Sequence, residues 1–201
     1  MPEREYSFAK KIQEAHPDFQ YMFWNNKNMP KLPEPLNSIK DYHQSHKNWV
    51  HIADLLRYYV VKEHGGLYID CDYELINPIS NLELEKYDGF IPLHFNVGET
   101  ICNSIFGFSK DHPILQILCE KAESHKHWLG PHFFGKFVKS YLGLEENAND
   151  IDVSKKLNQI NVLTVHSREN LKINYLNHHL SYTWHPDNQK KMKTDETFVN
   201  L

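Results

Sequence analysis

In His64-Gly65-Gly66-Leu67-Tyr68-Ile69-Asp70-Cys71-Asp72 a helix stop, a strand and an acidic pair follow one another without a break. A glycine pair leads into an apolar run that ends in two aspartates one residue apart. Read as a strand, the run alternates its side chains between faces, so Asp70 and Asp72 point one way and Cys71 the other. Carboxylates that close together repel each other. They are tolerated most readily where a cation sits between them or water screens them. A paired-carboxylate strand end is the pattern expected where a divalent metal meets a diphosphate. Aspartates are also common in turns, so a polar strand end or turn stands as the plain alternative. The apolar lead-in and the glycines strengthen the metal reading.

Upstream, Trp49–His64 reads as a helix. Ile52, Leu55, Leu56, Tyr59 and Val60 recur at helical spacing and form one apolar stripe. Gly65-Gly66 supplies the stop and a tight turn into the following strand. Asp54 and Arg57 sit three residues apart on this helix, hence on neighbouring positions of one face. An ion pair on a solvated face is the plain alternative for them. Their helix runs directly into the acidic segment, so the chain is expected to bring both pairs to the same sheet edge.

On the N-terminal side, Glu3–Ala15 reads as a helix closed by Pro17, residues 19–24 as an aromatic strand, and residues 25–35 as a loop carrying Pro30, Pro33 and Pro35. Further strands are expected at 89–95, Ile105–Phe108, 161–165 and 173–175. Helices are expected at 113–123 and Pro131–Tyr141, each with proline near its first turn, and a polar loop at 145–152. Helices and strands alternate, which points to an α/β layered fold. No internal repeat or low-complexity tract is evident.

Composition narrows the class. The 201 residues suffice for one domain with a core, and 40% apolar content argues for a globular chain. Lys+Arg 22 against Asp+Glu 26 gives net charge -4 with no basic run, which argues against nucleic acid as the main partner. Cys71, Cys102 and Cys119 lack CxxC spacing, so reduced thiols in a cytoplasmic compartment are expected. No apolar segment approaches the roughly 20 residues of a membrane span. Fourteen histidines is a high count that by itself decides nothing.

Ala53-Asp54-Leu55-Leu56-Arg57-Tyr58, followed by His64 to Asp72, resembles the signature of the DXD-containing sugar transferases of glycosyltransferase family 32. That family takes in fungal initiating mannosyltransferases and capsular and viral sugar transferases, with large glucosylating bacterial toxins as distant relatives. His16-Pro17-Asp18-Phe19-Gln20-Tyr21 with Phe23-Trp24 is similar to the family's HPDYEY…W segment, and Gly130-Pro131 to its Gly-Pro element. Tyr175-Leu176-Asn177-His178-His179-Leu180-Ser181-Tyr182-Thr183-Trp184 resembles its C-terminal HH-x3-SW motif, with threonine in place of serine. The likeness runs from about residue 5 to about residue 186. It departs at the start, because the family opens with a strand reading roughly IPKIIHQIW, whereas this chain opens Met1-Pro2-Glu3-Arg4. One glycosyltransferase domain over 1–201, lacking the usual first strand, is therefore expected, with nucleotide affinity and base choice left open.

The resemblance implies a GT-A type α/β fold, a central mixed sheet flanked by helices in a single compact domain. It implies a metal-dependent transferase of polysaccharide biosynthesis. Such an enzyme moves a hexose from a UDP- or GDP-sugar to a glycan or other acceptor and retains the anomeric configuration. By the same likeness, Asp72 binds the metal and Asp70 the donor ribose or the metal shell. Asp54 and Arg57 hold the sugar hydroxyls. One of His178 and His179, with His179 favoured, completes the metal shell, and Thr183 and Trp184 close over the diphosphate. Oxygen ligands suit Mg²⁺ or Mn²⁺, and an added imidazole favours Mn²⁺. For the histidine pair the plain alternative is a polar loop, and for Trp184 a core aromatic. Asn103 and Ser104 are read as either acceptor-facing or a polar strand cap. His132, His94 and Glu99 receive no task. Two other classes stay open: a catalytically silent nucleotide-sugar-binding module and a metal-dependent phosphohydrolase.

Overall fold

The structure is a computed structural model that describes residues 3–25, 27–93, 101–166 and 175–179. Along the chain run α1 (Glu3–Ala15), α2 (Leu36–Ser45), α3 (Trp49–His64), β1 (Gly66–Ile69), β2 (Tyr73–Leu75), β3 (Gly89–Leu93), β4 (Ile105–Phe108), α4 (Pro113–Ala122), α5 (Pro131–Tyr141), α6 (Asp150–Gln159), β5 (Val162–His166) and β6 (Leu176–His178). They divide into two compact units. The smaller comprises Met1–Lys31, Asp70–Leu82 and Lys172–Leu201; the larger comprises Leu32–Ile69 and Glu83–Leu171.

The larger unit is built on a four-stranded mixed sheet of order β1-β4-β3-β5. β4 runs antiparallel to β1 and β3, while β3 and β5 are parallel. A parallel pair cannot be closed by a hairpin, and the chain between β3 and β5 carries α4, α5 and α6. Every residue of β3 and β4 is buried, which is why both read as apolar runs without alternation. α3 has the expected bounds and buries Ile52, Leu55, Leu56 and Val60. Tyr58, one position from the expected Tyr59, is the fully buried aromatic of this helix. Its ring stacks on Phe134 at 5.8 Å and lies 6.0 Å from Phe106. At the helix end Gly65 and Gly66 take φ of 71° and 97°, and a Cβ on Gly65 would stand 2.9 Å from the Lys110 amide nitrogen.

In the smaller unit β2 and β6 pair antiparallel, with Tyr73 opposite His178 and Leu75 opposite Leu176. α1 contributes the buried Phe8. The buried His16 ties two segments together. Its Nδ1 donates to the Ile12 carbonyl at 2.7 Å and its Nε2 accepts from the Ile79 amide at 2.8 Å.

Several expectations are corrected. β1 ends at Ile69, so Asp70 and Asp72 lie in a turn, where the Tyr73 amide donates to the Asp70 carbonyl at 3.3 Å. Residues 19–24 form no ladder among the described residues, and Phe19, Tyr21, Met22 and Phe23 are exposed. Alternation defines faces but supplies no partner strand, and backbone pairing needs one. α2 directly follows the proline loop, burying Leu36, Ile39 and His43. α6 begins inside the expected 145–152 loop, where Asn149 caps it by accepting from the Asp152 amide at 3.0 Å. The strand expected at 173–175 forms instead at β6; residues 173 and 174, like 94 and 95, lie outside the described residues. No helix among the described residues is long and apolar enough to cross a membrane.

Two stability predictions follow from these turns and caps. Gly65→Ala places a side chain at positive φ against Lys110 and should lower the unfolding free energy by roughly 1–2 kcal/mol, read from the urea midpoint. His112 caps α4, its Nδ1 accepting from the Ile114 amide at 3.3 Å. Burial lowers its pKa below the ordinary 6.5, against an opposing pull from Asp88. A depressed histidine pKa means that the unfolded chain takes up the proton first, so this stability is present above pH 6.5 and lost as the pH falls through the folded value. His112→Asn keeps a neutral cap acceptor and should therefore gain stability relative to the wild type on acidification. His112→Ala should lose about 1 kcal/mol at neutral pH.

Candidate metal and sugar site

In the smaller unit, the turn after β1 and the strand β6 bring Asp70, Asp72 and His178 together. Each offers one ligand atom, all within 4.8 Å of one another, and all three side chains are half-buried. His178 Nε2 lies 3.3 Å from Asp72 Oδ1. Its ring stacks on Tyr73, its partner across the ladder, at 4.2 Å and 11°. The Tyr73 ring is itself buried, so it fixes the imidazole plane beside the carboxylates. The His179 amide donates to the Asp72 carbonyl at 3.0 Å, extending the ladder into the turn.

His179 points elsewhere. Its Nε2 meets Glu74 Oε2 at 3.0 Å and Asn177 Nδ2 at 3.2 Å, and its ring stacks on Phe8 at 4.9 Å. That hydrogen bond holds the Glu74 carboxyl below its ordinary range. Alternation accounts for the split: Asn177 and His179 share one face of the segment and His178 takes the other.

Cys71, between the aspartates, is pushed up to about 12 by burial first and then by the charges of Asp70, Asp72 and Glu5. It is a neutral thiol surrounded by carboxylates, a field that attracts a cation. Two oxygen donors and an imidazole suit a hard to borderline divalent ion. Thr183 and Trp184 lie outside the described residues.

In the larger unit, Asp54 and Arg57 form a buried pair rather than a solvated one. Arg57 Nη2 lies 3.2 Å from Asp54 Oδ1, with side chains 8% and 7% exposed. Arg57 Nη1 donates to the Asn103 carbonyl at 2.7 Å and Nε to the Ala53 carbonyl at 3.4 Å. The guanidinium lies over the Tyr68 ring at 4.7 Å. Asn103 Nδ2 donates to Asp54 Oδ1 at 2.9 Å and to the Tyr58 hydroxyl at 2.8 Å, and that hydroxyl donates to the Leu129 carbonyl at 2.7 Å. Burial and the Asp54 charge raise Tyr58 well above its ordinary value, so it stays a phenol that can donate. Asp54 Oδ2 faces Gly130, where a Cβ would stand 3.4 Å away.

Sequence reasoning left Asn103 without a task and did not single out Tyr58 or Tyr68 for the site. The available signal was a lone amide residue directly before an apolar strand, which has to be satisfied once buried. His132 is exposed, and His94 and Glu99 lie outside the described residues.

Residues 2–88 match the family described as "Glycosyltransferase sugar-binding region containing DXD motif". The chain is 26% identical over 116 residues to inositol phosphoceramide mannosyltransferase 3 of Schizosaccharomyces pombe, covering 57% of this chain and 32% of that protein. It is 25% identical over 134 residues to mannosyl phosphorylinositol ceramide synthase SUR1 of Saccharomyces cerevisiae, covering 66% and 34%. The chain thus spans about a third of the length of the curated relatives it matches. Among solved structures it is similar to PaToxG glycosyltransferase, with a TM-score of 0.57 and 15% identity over 80% of this chain and 70% of that one. The expected likeness to DXD-containing glycosyltransferases and their α/β fold is borne out.

The buried pair generates a stability prediction. Arg57→Met strands the Asp54 carboxylate in a dry setting and should cost about 3 kcal/mol. Asp54→Asn, which keeps an oxygen for Asn103, should cost less. Equilibrium urea unfolding of both variants checks this; a loss below about 1 kcal/mol for Arg57→Met, the range of an exposed pair, would contradict the buried-pair account.

Proposed function

We propose that this chain carries the donor-handling part of a divalent-metal-dependent glycosyltransferase. It would move a hexosyl group from a nucleotide-diphosphate sugar to a glycan or other acceptor, with retention of configuration. The observation that carries the proposal is the convergence of Asp70, Asp72 and His178 within 4.8 Å, with both aspartates inside residues 2–88, the stretch that matches the DXD family. The names of the curated relatives favour a mannosyl donor as the first to test.

Asp72 and His178 would hold the ion, with Asp70 at the ribose or in the metal shell. The choice of His178 over His179 rests on the pairing of His179 with Glu74. Bound there, Mn²⁺ or Mg²⁺ supplies charge neutralisation of the departing diphosphate, worth several kcal/mol in the transition state. Asp54 and Arg57 would receive the sugar hydroxyls, the carboxylate accepting and the guanidinium donating. Asn103 and Tyr68 hold that pair in place, so the sugar meets preset partners and little is lost to ordering them. Thr183 and Trp184 would shield the diphosphate from water. The lack of CxxC spacing among Cys71, Cys102 and Cys119 favours a reducing compartment such as the cytoplasm.

Asp72→Asn should lower turnover at least about a hundredfold, near 2.7 kcal/mol in the barrier, with the fold intact by circular dichroism, and EDTA should do the same to the wild type. His178→Ala should weaken the apparent Mn²⁺ affinity, while His179→Ala should leave it close to the wild type. Asp54→Ala should weaken the nucleotide sugar far more than the bare nucleoside diphosphate, read by calorimetry. Undiminished turnover in EDTA would sink the transferase proposal. Tight donor binding with no turnover under any acceptor would favour the silent module, and acceptor-independent release of sugar and nucleotide the phosphohydrolase.

A further inference from the structure

Nothing in the backbone around α5 requires a glycine at Gly130. The residue is extended, at φ -75° and ψ -157°, a conformation open to any side chain. It stands at the N-cap position of α5 without a side-chain cap, where serine or asparagine would serve the helix at least as well. Packing does not require a glycine either. Chain neighbours aside, a Cβ built there would meet one heavy atom within 4 Å among the described residues, Asp54 Oδ2 at 3.4 Å. What the glycine preserves is room beside that oxygen.

The Asp54 side chain is buried, and both contacts that hold it, from Arg57 Nη2 and Asn103 Nδ2, are made to Oδ1. Among the described residues Oδ2 accepts no hydrogen bond. A buried carboxylate with an idle oxygen is costly unless something supplies the missing donor. One network holds the gap open from both sides. Asn103 Nδ2 also donates to the Tyr58 hydroxyl at 2.8 Å, and that hydroxyl fixes the Leu129 carbonyl, directly before Gly130, at 2.7 Å. On the helix side the Phe134 amide donates to the Gly130 carbonyl at 3.1 Å. We infer, on the transferase reading above, that Gly130 is a specificity-determining residue of the sugar site: its missing side chain leaves Asp54 Oδ2 open to one hydroxyl of the bound hexose. That hydroxyl donates to the carboxylate oxygen, while Arg57 and Asn103 keep the carboxylate from turning away. A sugar without the hydroxyl leaves the buried carboxylate unpaired, the arrangement that discriminates most sharply between related substrates.

Calorimetry of the full chain tests this with GDP-mannose and UDP-glucose, each with Mn²⁺, against GDP and UDP as sugar-free controls. For whichever sugar nucleotide the wild type binds, Gly130→Ala should weaken affinity roughly ten- to a hundredfold, the range of one hydrogen bond to a charged group, and leave the bare nucleotide unchanged. Gly130→Ser guards against simple damage. Its hydroxyl improves the cap of α5 and can reach Asp54 Oδ2, so the urea midpoint should rise while sugar-nucleotide affinity falls. Among monodeoxy forms of the bound sugar, the one lacking the accepted hydroxyl should bind the wild type poorly. It should lose little more on Gly130→Ala, because the contact is already gone. Folded Gly130→Ala with wild-type affinity for the sugar nucleotide would overturn the role given to Gly130 and leave the transferase reading standing. Equal losses for the sugar nucleotide and the bare nucleotide would do the same. A folded wild type that binds neither sugar nucleotide would overturn both.

Discussion

Asp54 and Arg57 leave water together when α3 packs, and neither charge could be buried alone at an acceptable cost. Their pairing makes demands on three separate stretches of the larger unit. The helix has to present both residues on one face. The segment before β4 has to deliver Asn103, whose amide reaches Asp54 and whose carbonyl reaches Arg57. The loop before α5 has to bring the Leu129 carbonyl to Tyr58 and keep Gly130 small beside Asp54 Oδ2. Apolar packing around Tyr58, Phe106 and Phe134 supplies attraction without direction. The polar contacts supply the direction, since hydrogen bonds weaken steeply with angle and distance.

Legibility in the sequence followed the range of the forces involved. α3 was readable to the residue, because a 3.6-residue stripe and a terminal glycine pair are local signals. Ile105–Phe108 and Pro131–Tyr141 were readable for similar reasons. α2 was hidden behind three prolines, although Leu36, Ile39 and His43 carry helical spacing. Residues 19–24 alternate as a strand does, yet pairing is a long-range property that alternation cannot report. The acidic pair shows the same limit at finer scale. Asp70 and Asp72 were visible as a pair, but their setting in a turn depends on where β1 stops.

The histidine pair marks where sequence reading ends. His178 and His179 are chemically identical neighbours, and only the register of β6 against β2 separates them. That register sets His178 against Tyr73 and sends His179 to Glu74. A shift of one residue would exchange their roles, because strand side chains alternate strictly.

The β2–β6 ladder also bears on the order in which the protein can assemble. The contact between Glu74 and His179 spans 105 positions of chain. Closing a loop that long is entropically unfavourable, though each doubling adds only about 0.6 kcal/mol, and pairings of high sequence separation form late. During synthesis the two aspartates emerge well before the histidine that joins them. The nascent chain therefore carries an acidic turn lacking its imidazole until Leu176–His178 has left the ribosome. Any capacity of the cluster to hold a cation would arise late in folding, once the sheet of the larger unit has all its strands available.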